Sequence, residues 1–341
     1  MKKILKNGYE LNEVINGCWQ LSDGHALKSA VDFSDTKKAF YELCDNGLDA
    51  FDCADIYTGV EDFIGEFIKE SKRDVKVHTK YVPDLNILSD VDFSFTENII
   101  DRSLKRLNKE ALDVVQFHWW DYEVSGMIDV AEHLVKLKEK GKILNIGTTN
   151  FDTENLKKLV DAKIPVVSVQ SQYSIFDRRP EKSLAKYCLE NDIALLCYGT
   201  LSGGLLSGKY LGKEIGKADN RSQVKYLQVI EDTVGYDDYP KLLEILDDIA
   251  KKYNVSISNI ATKYILSKKE VSSAIIGTRS SVHVKSNLEL FKFKLDESDI
   301  ETIDKFISKY PNLDGEPFTL ERTEGCKYRE IMKMNINEEE Q

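Results

Sequence analysis

The feature that most constrains the fold is a repeated unit in which a short apolar strand precedes an amphipathic helix. Strands that are joined by crossover helices run parallel, and eight parallel strands are the number that closes a barrel. The pattern therefore predicts a closed parallel barrel in the α/β class. The eight strands are predicted at 14–20, 48–52, 75–80, 112–118, 143–150, 166–170, 193–198 and 272–277.

A doubly wound open sheet is the competing architecture. It would normally carry a GxGxxG stretch after its first strand, and this sequence has none there. We therefore expect a single (β/α)8 TIM barrel over residues 1–308 and a C-terminal extension over 309–341. The long segment at 201–237, after the seventh strand, is too long for a plain connector and is expected to fold as a flap. The extension is expected to line the substrate mouth and to be disordered in part at its acidic end.

Helix starts are predicted where a hydroxyl or carboxylate side chain precedes an amphipathic run, because such a side chain accepts a hydrogen bond from the first turn. Ser94 also has a glutamate three residues later, which is the spacing of a capping box. The predicted N-caps are Ser34, Ser94, Asp152 and Ser256.

Composition argues against several classes of protein. Of the 341 residues, 31% are charged and 42% are hydrophobic, which is typical of a globular chain, and no apolar run has the roughly 18 residues of a membrane span. The net charge of −11 argues against nucleic acid or an anionic membrane as a partner. The six cysteines show neither CxxC pairs nor zinc-ligand spacing, so we expect no metal site. We expect a cytoplasmic monomer or weak homo-oligomer that acts on a small molecule.

Strand alternation predicts which side chains face the interior of the barrel, since successive residues of a strand point to opposite faces. Several strands place polar residues on the interior face close to their ends. In a barrel of this kind, active sites lie at the end where the strands finish, which is called the mouth below. The interior polar residues predicted in this way are Asp52, His78, Lys80, Gln116, His118, Thr148, Asn150, Ser168 and Gln170.

Asp52 and Lys80 are expected to pair, because they lie at the same height on adjacent strands and an unpaired buried charge costs several kcal/mol. One interpretation is a salt bridge that only braces the barrel. The other is a reactive site, since a bracing salt bridge gives no reason to place His118 and interior amides beside it. Tyr57, five residues after Asp52, is predicted to lie in the loop over the mouth and would supply a proton donor.

These four residues resemble the catalytic tetrad of the aldo-keto reductase superfamily, in the branch that includes the potassium-channel β-subunits. The stretch FDCADIYTGVED resembles that family's D-x-A-x-x-Y motif, and HTK and QFHWWD resemble its lysine and histidine strands. IGTTNF is similar to its G-x-S-N-F motif. The resemblance extends from about residue 10 to residue 295 and places ordered motifs on at least six strands.

The resemblance implies an NADP(H)-dependent reduction of aldehydes and ketones to alcohols. Tyr57 would protonate the carbonyl oxygen, and the Lys80 ammonium would lower the pKa of that phenol from about 10. Asp52 would keep Lys80 charged and oriented. His118 would donate a hydrogen bond to the carbonyl oxygen and fix its approach.

The resemblance also implies a cofactor site. Thr149, Asn150 and Gln170 would bind the nicotinamide carboxamide, and Tyr198 would stack on its ring. GTLSGGLLSGKY would bind the pyrophosphate, and IIGTRSSVHVKSN would bind the adenosine 2′-phosphate, so that NADPH is favoured over NADH. The cofactor residues expected in this way are Trp19, Thr149, Asn150, Gln170, Tyr198, Gly199, Thr200, Leu201, Gly203, Gly277, Thr278, Arg279, His283 and Asn287.

Two departures from the family pattern weaken the expected closure over the cofactor. His283 stands where many relatives have an arginine, and Ser286 replaces the usual acidic residue before Asn287. The tryptophans Trp19, Trp119 and Trp120 are expected to wall an aromatic substrate pocket, with at least one of them in the core.

Two other functions fit the same residues. A cofactor-binding regulatory protein like the potassium-channel β-subunits would share the fold and the cofactor. A barrel lyase would use Lys80 as a Schiff base, which Asp52 disfavours by keeping the amine charged. Turnover of carbonyl compounds distinguishes the reductase from both.

Overall fold

The computed structural model describes residues 2–5, 7–22 and 31–337, and it contains a closed barrel of eight parallel strands, as predicted. The strands of the described chain are β1 (Lys2–Ile4), β2 (Glu10–Asn12), β3 (Val14–Gly17), β4 (Ala50–Asp52), β5 (Lys76–Tyr81), β6 (Val114–Phe117), β7 (Ile146–Thr149), β8 (Val166–Gln172), β9 (Ala194–Tyr198) and β10 (Val271–Gly277). Strands β3 to β10 follow one another around the barrel in chain order, and β10 pairs with β3 to close it.

The helices connect successive strands and pack against the outer face of the barrel. For example, Phe40 and Phe67 contact Phe51 of β4, and their ring centroids lie 4.4 and 6.1 Å from that of Phe51. Phe51 therefore points outward, and its neighbour Asp52 points into the barrel. The α-helices are α1 (Phe33–Asp45), α2 (Val60–Ser71), α3 (Phe93–Leu107), α4 (Met127–Glu139), α5 (Thr153–Asp161), α6 (Leu184–Glu190), α7 (Arg221–Asp232), α8 (Tyr239–Tyr253), α9 (Ile257–Leu266), α10 (Val284–Glu289), α11 (Glu297–Ile307), α12 (Thr319–Arg322) and α13 (Lys327–Glu330).

Two of the four predicted N-caps are confirmed, and two are wrong. The confirmed caps of α5 and α9 are Asp152 and Ser256. Ser34 and Ser94 lie inside the first turns of α1 and α3. The caps of these helices are Asp32 and Asp92, two residues earlier, whose carboxylates accept a hydrogen bond from the backbone N–H three residues further on.

The N-terminal hairpin covers the end at which the barrel strands begin. Strand β1 pairs with β2 in antiparallel fashion, and Tyr9, in the connecting turn, has its hydroxyl 2.8 Å from Nε2 of His78 inside the barrel. The rest of this end is filled by an apolar cluster of Leu5, Leu11, Ile15, Ala50, Ala194, Leu196 and Ile275. The hairpin therefore seals the barrel opposite the mouth.

The long segment after β9, the seventh barrel strand, contains helix α7. Two short 3-10 turns, Ser202–Gly204 and Gly208–Tyr210, precede this helix. Tyr226 of α7 lies directly over Gly199, since a Cβ on that glycine would be 2.2 Å from the tyrosine hydroxyl. Helix α7 is therefore packed on the residues that leave the barrel at β9.

The C-terminal extension is tied to the barrel by a buried network of charges. Arg179 lies 2.8 Å from Asp177 and 3.1 Å from Glu321, and Lys225 of α7 lies 2.7 Å from Glu321. Burial raises the pKa of Glu321, but Lys225 and Arg179 lower it by more, so the carboxylate stays charged. The network joins the extension, α7 and the segment after β8.

Two parts of the predicted organisation lie outside the described residues. They are 23–30, in the connection between β3 and α1, and 338–341, the acidic end for which disorder is expected. Within the part that the structure describes, no helix is both long and apolar enough to cross a membrane. The same residues contain no cluster of three His, Cys, Asp or Glu that could hold a metal ion.

Candidate active site

The predicted Asp52–Lys80 pair forms at the mouth of the barrel. Lys80 Nζ lies 2.7 Å from Asp52 Oδ2 and 2.7 Å from the carbonyl oxygen of Cys53. The Lys80 and Asp52 side chains are only 6% and 5% exposed. Burial lowers the pKa of Lys80, but the charge and the hydrogen bond of Asp52 raise it, and the pKa lies above its usual value. A permanently protonated Lys80 is a poor Schiff-base nucleophile.

Two glutamine side chains hold the second oxygen of Asp52. The Nε2 atoms of Gln116 and Gln170 lie 2.9 and 2.6 Å from Asp52 Oδ1. Gln170 Nε2 also lies 2.8 Å from Gln116 Oε1, so all three side chains form one buried network. The carboxylate is therefore compensated on both of its oxygens. Gln170 Nε2, which the resemblance assigns to the nicotinamide, is engaged with Asp52 in this structure.

Tyr57 lies beside this pair, in the loop between β4 and α2. Lys80 Nζ is 4.9 Å from the centroid of the Tyr57 ring, and the ring centroid of Trp19 is 4.8 Å away. Burial raises the pKa of Tyr57 to about 12, although the Lys80 ammonium lowers it. The lowering expected from Lys80 is present but is outweighed by burial, so the phenol stays protonated at neutral pH.

Asp55 anchors the loop that carries Tyr57. Its carboxyl oxygens accept hydrogen bonds from the backbone N–H groups of Ile56, at 3.0 Å, and Val82, at 3.1 Å. Val82 is held in turn by Asn337 of the C-terminal extension, whose Nδ2 donates to its carbonyl oxygen at 2.9 Å. Burial raises the pKa of Asp55 to about 8. The position of Tyr57 therefore depends on contacts that reach from β5 to the extension.

His118 directly follows β6 and is fixed in one tautomer. Its Nδ1 lies 3.0 Å from the carbonyl oxygen of Thr149, which can only accept, so Nδ1 carries the proton. Burial and the charge of Arg322 lower the pKa of His118 to about 3. The neutral ring therefore presents Nε2 as an acceptor, which disagrees with the donor role expected for His118. None of its described contacts reaches Tyr57 or the ion pair.

Aromatic residues cover His118 at the mouth. The ring centroids of Trp120 and Phe318 lie 4.3 and 5.5 Å from that of His118. Within the described residues, neither Trp120 Nε1 nor His118 Nε2 has a hydrogen-bond partner. Trp119 is fully buried and donates to the carbonyl oxygen of Val124 at 3.2 Å, so it belongs to the core rather than to a pocket wall.

Arg322 fixes the C-terminal extension to the mouth. Its guanidinium donates to the carbonyl oxygens of Trp119, Trp120 and Asn150 at 2.8, 3.1 and 2.9 Å. It also stacks over the ring of Tyr122, 4.2 Å from the centroid. The chain segments that leave β6 and β7 are therefore both bound to the extension.

The residues expected to bind nicotinamide lie together at the ends of β7, β8 and β9. Tyr198 donates to Asn150 Oδ1 at 2.8 Å, and Asn150 has a left-handed backbone with φ of +61°. On β7, Gly147 faces the interior, since a Cβ there would lie 2.5 Å from Ser168 Oγ. Thr149 shares this interior face, and Thr148 points outward. The prediction that Thr148 faces the interior is therefore wrong.

The glycine-rich segment after β9 makes a narrow turn. Gly199 and Gly203 have φ of +78° and +65°. A Cβ would lie 2.2 Å from Tyr226 at Gly199 and 3.0 Å from it at Gly203. The left-handed backbone favours glycine at both positions, and at Gly199 a side chain would also overlap Tyr226. Thr200 and Leu201 lie between them, and the Thr200 side chain is buried.

The segment expected to bind the adenosine end begins at Gly277, the last residue of β10, and continues through Thr278, Arg279, His283 and Asn287. Thr278 Oγ1 accepts from Asn287 Nδ2 at 3.2 Å. The helical turn begins at Ser281 and is capped by Ser280, so Thr278 and Arg279 lie directly before its N-terminus. His283 ends that turn and is exposed.

Sequence reasoning missed a cluster formed by Asp35, Ser280 and Ser281. Asp35 Oδ2 accepts from Ser280 Oγ at 2.5 Å and from the backbone N–H of Ser281 at 3.1 Å. Asp35 Oδ1 accepts from Ser281 Oγ at 2.5 Å. Asp35 and Ser280 are 245 residues apart in the chain, so no local pattern connects them. The one feature of the sequence that could have indicated the cluster was the pair of serines directly after Arg279.

The sequence model of the Aldo/keto reductase family matches residues 13–308. Aldo-keto reductase YhdN of Bacillus subtilis (strain 168) is 28% identical over 317 residues, which cover 88% of this chain and 92% of that protein. Aldo-keto reductase yakc [NADP(+)] of Schizosaccharomyces pombe is 25% identical, with 84% and 86% covered. The NADH-specific methylglyoxal reductase of Escherichia coli (strain K12) is 23% identical, with 83% and 90% covered.

A solved structure with the same architecture is glycerol dehydrogenase AKR11B4 from Gluconobacter oxydans. It matches with a TM-score of 0.78 over 93% of this chain and 98% of that chain, at 22% identity. At this identity the likeness supports the fold alone. The family match, however, spans most of the sequence, and the chain therefore belongs to the aldo/keto reductase family.

Proposed function

We propose that this protein is an oxidoreductase that reduces aldehyde or ketone groups to alcohols with NADP(H). The observation that carries the proposal is the buried Asp52–Lys80 pair at the mouth, with its ammonium 4.9 Å from the centroid of the Tyr57 ring. Aldo-keto reductases use nicotinamide cofactors, and this family membership supports the general class of reaction.

Several features of the segment after β9 fit the pyrophosphate of such a cofactor. The segment turns through left-handed backbone at Gly199, Gly203 and Gly204, and on Gly204 no atom lies within 4 Å of the place where a Cβ would be. Ser202 Oγ, in the same turn, is buried and has no hydrogen-bond partner among the described residues, so it is available as a donor. When bound, the reduced nicotinamide would supply the hydride that adds to the carbonyl carbon.

The choice of NADP(H) rests on Arg279, whose guanidinium would pair with the 2′-phosphate. The relatives do not decide the matter, since one is named for NADP(+) and another is NADH-specific. Direct measurement of the affinity for each cofactor is therefore part of the test.

Tyr57 would donate a proton to the carbonyl oxygen as that oxygen gains negative charge. A pKa of about 12 keeps the phenol protonated across the neutral range, so the acid form is always present. The Lys80 ammonium would stabilise the phenolate that remains after the transfer. Asp52, held by Gln116 and Gln170, keeps that ammonium charged and in place.

His118 and Trp120 would position the oxygen of the substrate. Trp120 Nε1 is a buried donor, and His118 Nε2 is a buried acceptor, and neither has a partner in the described chain. A carbonyl oxygen could accept from Trp120, whereas the hydroxyl of the alcohol product could donate to His118. The two residues would therefore bind the oxygen before and after reduction.

A panel of aliphatic and aromatic aldehydes and ketones tests this function. Purified protein is mixed with NADPH or NADH, and oxidation of the cofactor is followed by its absorbance. We expect turnover of several carbonyl compounds, with a lower KM for NADPH. Saturable binding of cofactor without turnover of any compound would overturn the proposal and favour a regulatory role.

A further inference from the structure

The cluster of Asp35, Ser280 and Ser281 places a carboxylate next to the segment to which the proposed function assigns the 2′-phosphate. Asp35 belongs to the first turn of α1, and both of its oxygens are bound by donors from the two residues that follow Arg279. Beside it on the same turn, Thr36 donates to the carbonyl oxygen of Arg279 at 2.7 Å. Helix α1 is therefore docked on this segment by two successive residues.

The bound carboxylate is charged. Hydrogen bonds from Ser280 and Ser281 lower the pKa of Asp35, and the ammonium of Lys38 contributes a smaller lowering. The donors that hold it are two hydroxyl groups and one backbone N–H. These are the same kinds of donor that bind a phosphate group.

A carboxylate at this place affects the two cofactors in opposite ways. The 2′-phosphate of NADPH would compete with Asp35 for the serine donors and would be repelled by its charge. The 2′-hydroxyl of NADH is a hydrogen-bond donor, and a carboxylate is a suitable acceptor for it. Arg279 would favour the phosphate, and Asp35 would oppose it.

We propose that Asp35 is a cofactor-specificity residue. Its negative charge acts against the attraction of Arg279 for the 2′-phosphate, so that the preference for NADPH over NADH stays small. The inference rests on the proposed function, because that function places the 2′ position of the cofactor beside Arg279. It adds a residue from α1 to a site that is otherwise built from the segment after β10.

The test is a set of dissociation constants for NADPH and NADH, measured by quenching of tryptophan fluorescence on the full chain. In Asp35→Asn, we expect the Kd for NADPH to fall about tenfold or more, and that for NADH to rise or stay constant. In Arg279→Ala, we expect the opposite, a higher Kd for NADPH with little change for NADH. Glu42→Gln, an exposed charge further along α1, is the matched control and should leave both constants unchanged.

Adenosine 2′,5′-bisphosphate and 5′-AMP isolate the adenosine end of the cofactor. As competitors of NADH, the bisphosphate should gain affinity in Asp35→Asn and 5′-AMP should not. Asp35→Ser provides a second variant if the amide disturbs folding, which thermal unfolding reveals.

Two results overturn the inference in different ways. If the wild-type chain binds both cofactors and Asp35→Asn changes both dissociation constants by the same factor, Asp35 is a structural clamp and the proposed function survives. If the wild-type chain binds neither cofactor, the proposed function fails and this inference fails with it.

Discussion

The two ends of the barrel interior each bury a histidine, and they differ in the groups that surround it. At the sealed end, His78 Nε2 lies 2.8 Å from the hydroxyl of Tyr9, within an apolar cluster. At the mouth, His118 directly follows β6, with its Nδ1 3.0 Å from the carbonyl oxygen of Thr149 and with the rings of Trp120 and Phe318 over it. Burial lowers the pKa of both histidines, to about 4 for His78 and about 3 for His118.

Burial and a shifted pKa therefore do not by themselves identify a functional histidine. Each ring even has one nitrogen without a partner in the described part of the chain, Nδ1 of His78 and Nε2 of His118. What separates them is their surroundings: the phenol of Tyr9 seals His78 inside the barrel, whereas His118 lies at the mouth beside Trp120, whose Nε1 also has no partner in the described residues. The assignment of function depends on the set of groups and not on the histidine.

The largest expected difference between the two ends concerns their tyrosines. Tyr57→Phe should lower kcat/KM for carbonyl reduction by about 10²- to 10⁴-fold, because the proton donor is lost, and it should leave cofactor affinity unchanged. Tyr9→Phe removes the same atom at the sealed end and should keep wild-type kinetics. Steady-state assays of both variants check this, and equal losses of activity would contradict the comparison.

The next difference concerns stability. Lys80→Met leaves the Asp52 carboxylate buried without its cation and should lower the free energy of unfolding by about 3–5 kcal/mol. Tyr9→Phe breaks a neutral hydrogen bond and should cost about 0.5–1.5 kcal/mol. Urea unfolding at pH 7 measures both. A cost for Lys80→Met no greater than that for Tyr9→Phe would mean that solvent reaches the pair.

The two histidines should behave alike towards acid. Because their pKa values are lower in the folded chain than the usual 6.5, the unfolded chain binds more protons below that pH, and stability is lost as the pH falls from about 6.5 towards 4. At about 1.4 kcal/mol for each pKa unit, His78→Gln or His118→Gln should each recover up to about 3 kcal/mol of that loss by pH 4.

Activity separates the same two variants. Only His118→Gln should change kcat or KM at pH 7, where both histidines are neutral. Urea unfolding at several pH values, together with kinetics at pH 7, supplies both readouts. A kinetic defect in His78→Gln as large as that in His118→Gln would remove the distinction between the two ends.

The smallest difference concerns the segments that cover the two ends. Asn337→Ala removes the hydrogen bond that secures Val82 and should cost about 1 kcal/mol of stability and about two- to fivefold in kcat, through the loop of Tyr57. Asn7→Ala in the hairpin removes a hydrogen bond to Asn145 and should cost similar stability with no change in kcat. Thermal unfolding and kcat are measured for both, and a kcat that Asn337→Ala leaves unchanged would show that Asn337 only stabilises the fold.

Strand alternation predicted the barrel and most of its interior polar residues. It placed Asp52, Lys80 and Gln170 on the interior face, where the structure brings them into one network. Alternation works there because every residue of a regular strand has extended backbone angles. It failed for Thr148. The prediction placed Thr148 on the same face as Asn150, two residues later, but the φ of +61° at Asn150 breaks the extended backbone on which alternation depends.

Other features depend on contacts between distant parts of the chain, and local patterns do not encode them. The pairing of Asp35 with Ser280, and of Arg179 with Glu321, follows from how helices and the extension pack on the finished barrel. The tautomer of His118 likewise depends on a carbonyl group of β7. The net pKa of Tyr57 depends on its burial, which spacing in the sequence does not report.

The contacts of residues 334–337 with the segment after β5 have a consequence for synthesis of the chain. The carbonyl oxygen of Met334 accepts from the backbone N–H of Leu85 at 2.9 Å, and Asn337 holds Val82. A ribosome finishes every barrel strand before it reaches these residues. A nascent chain that stalls before residue 334 would therefore carry the complete Asp52–Lys80 pair beside a tyrosine loop that has not yet been secured.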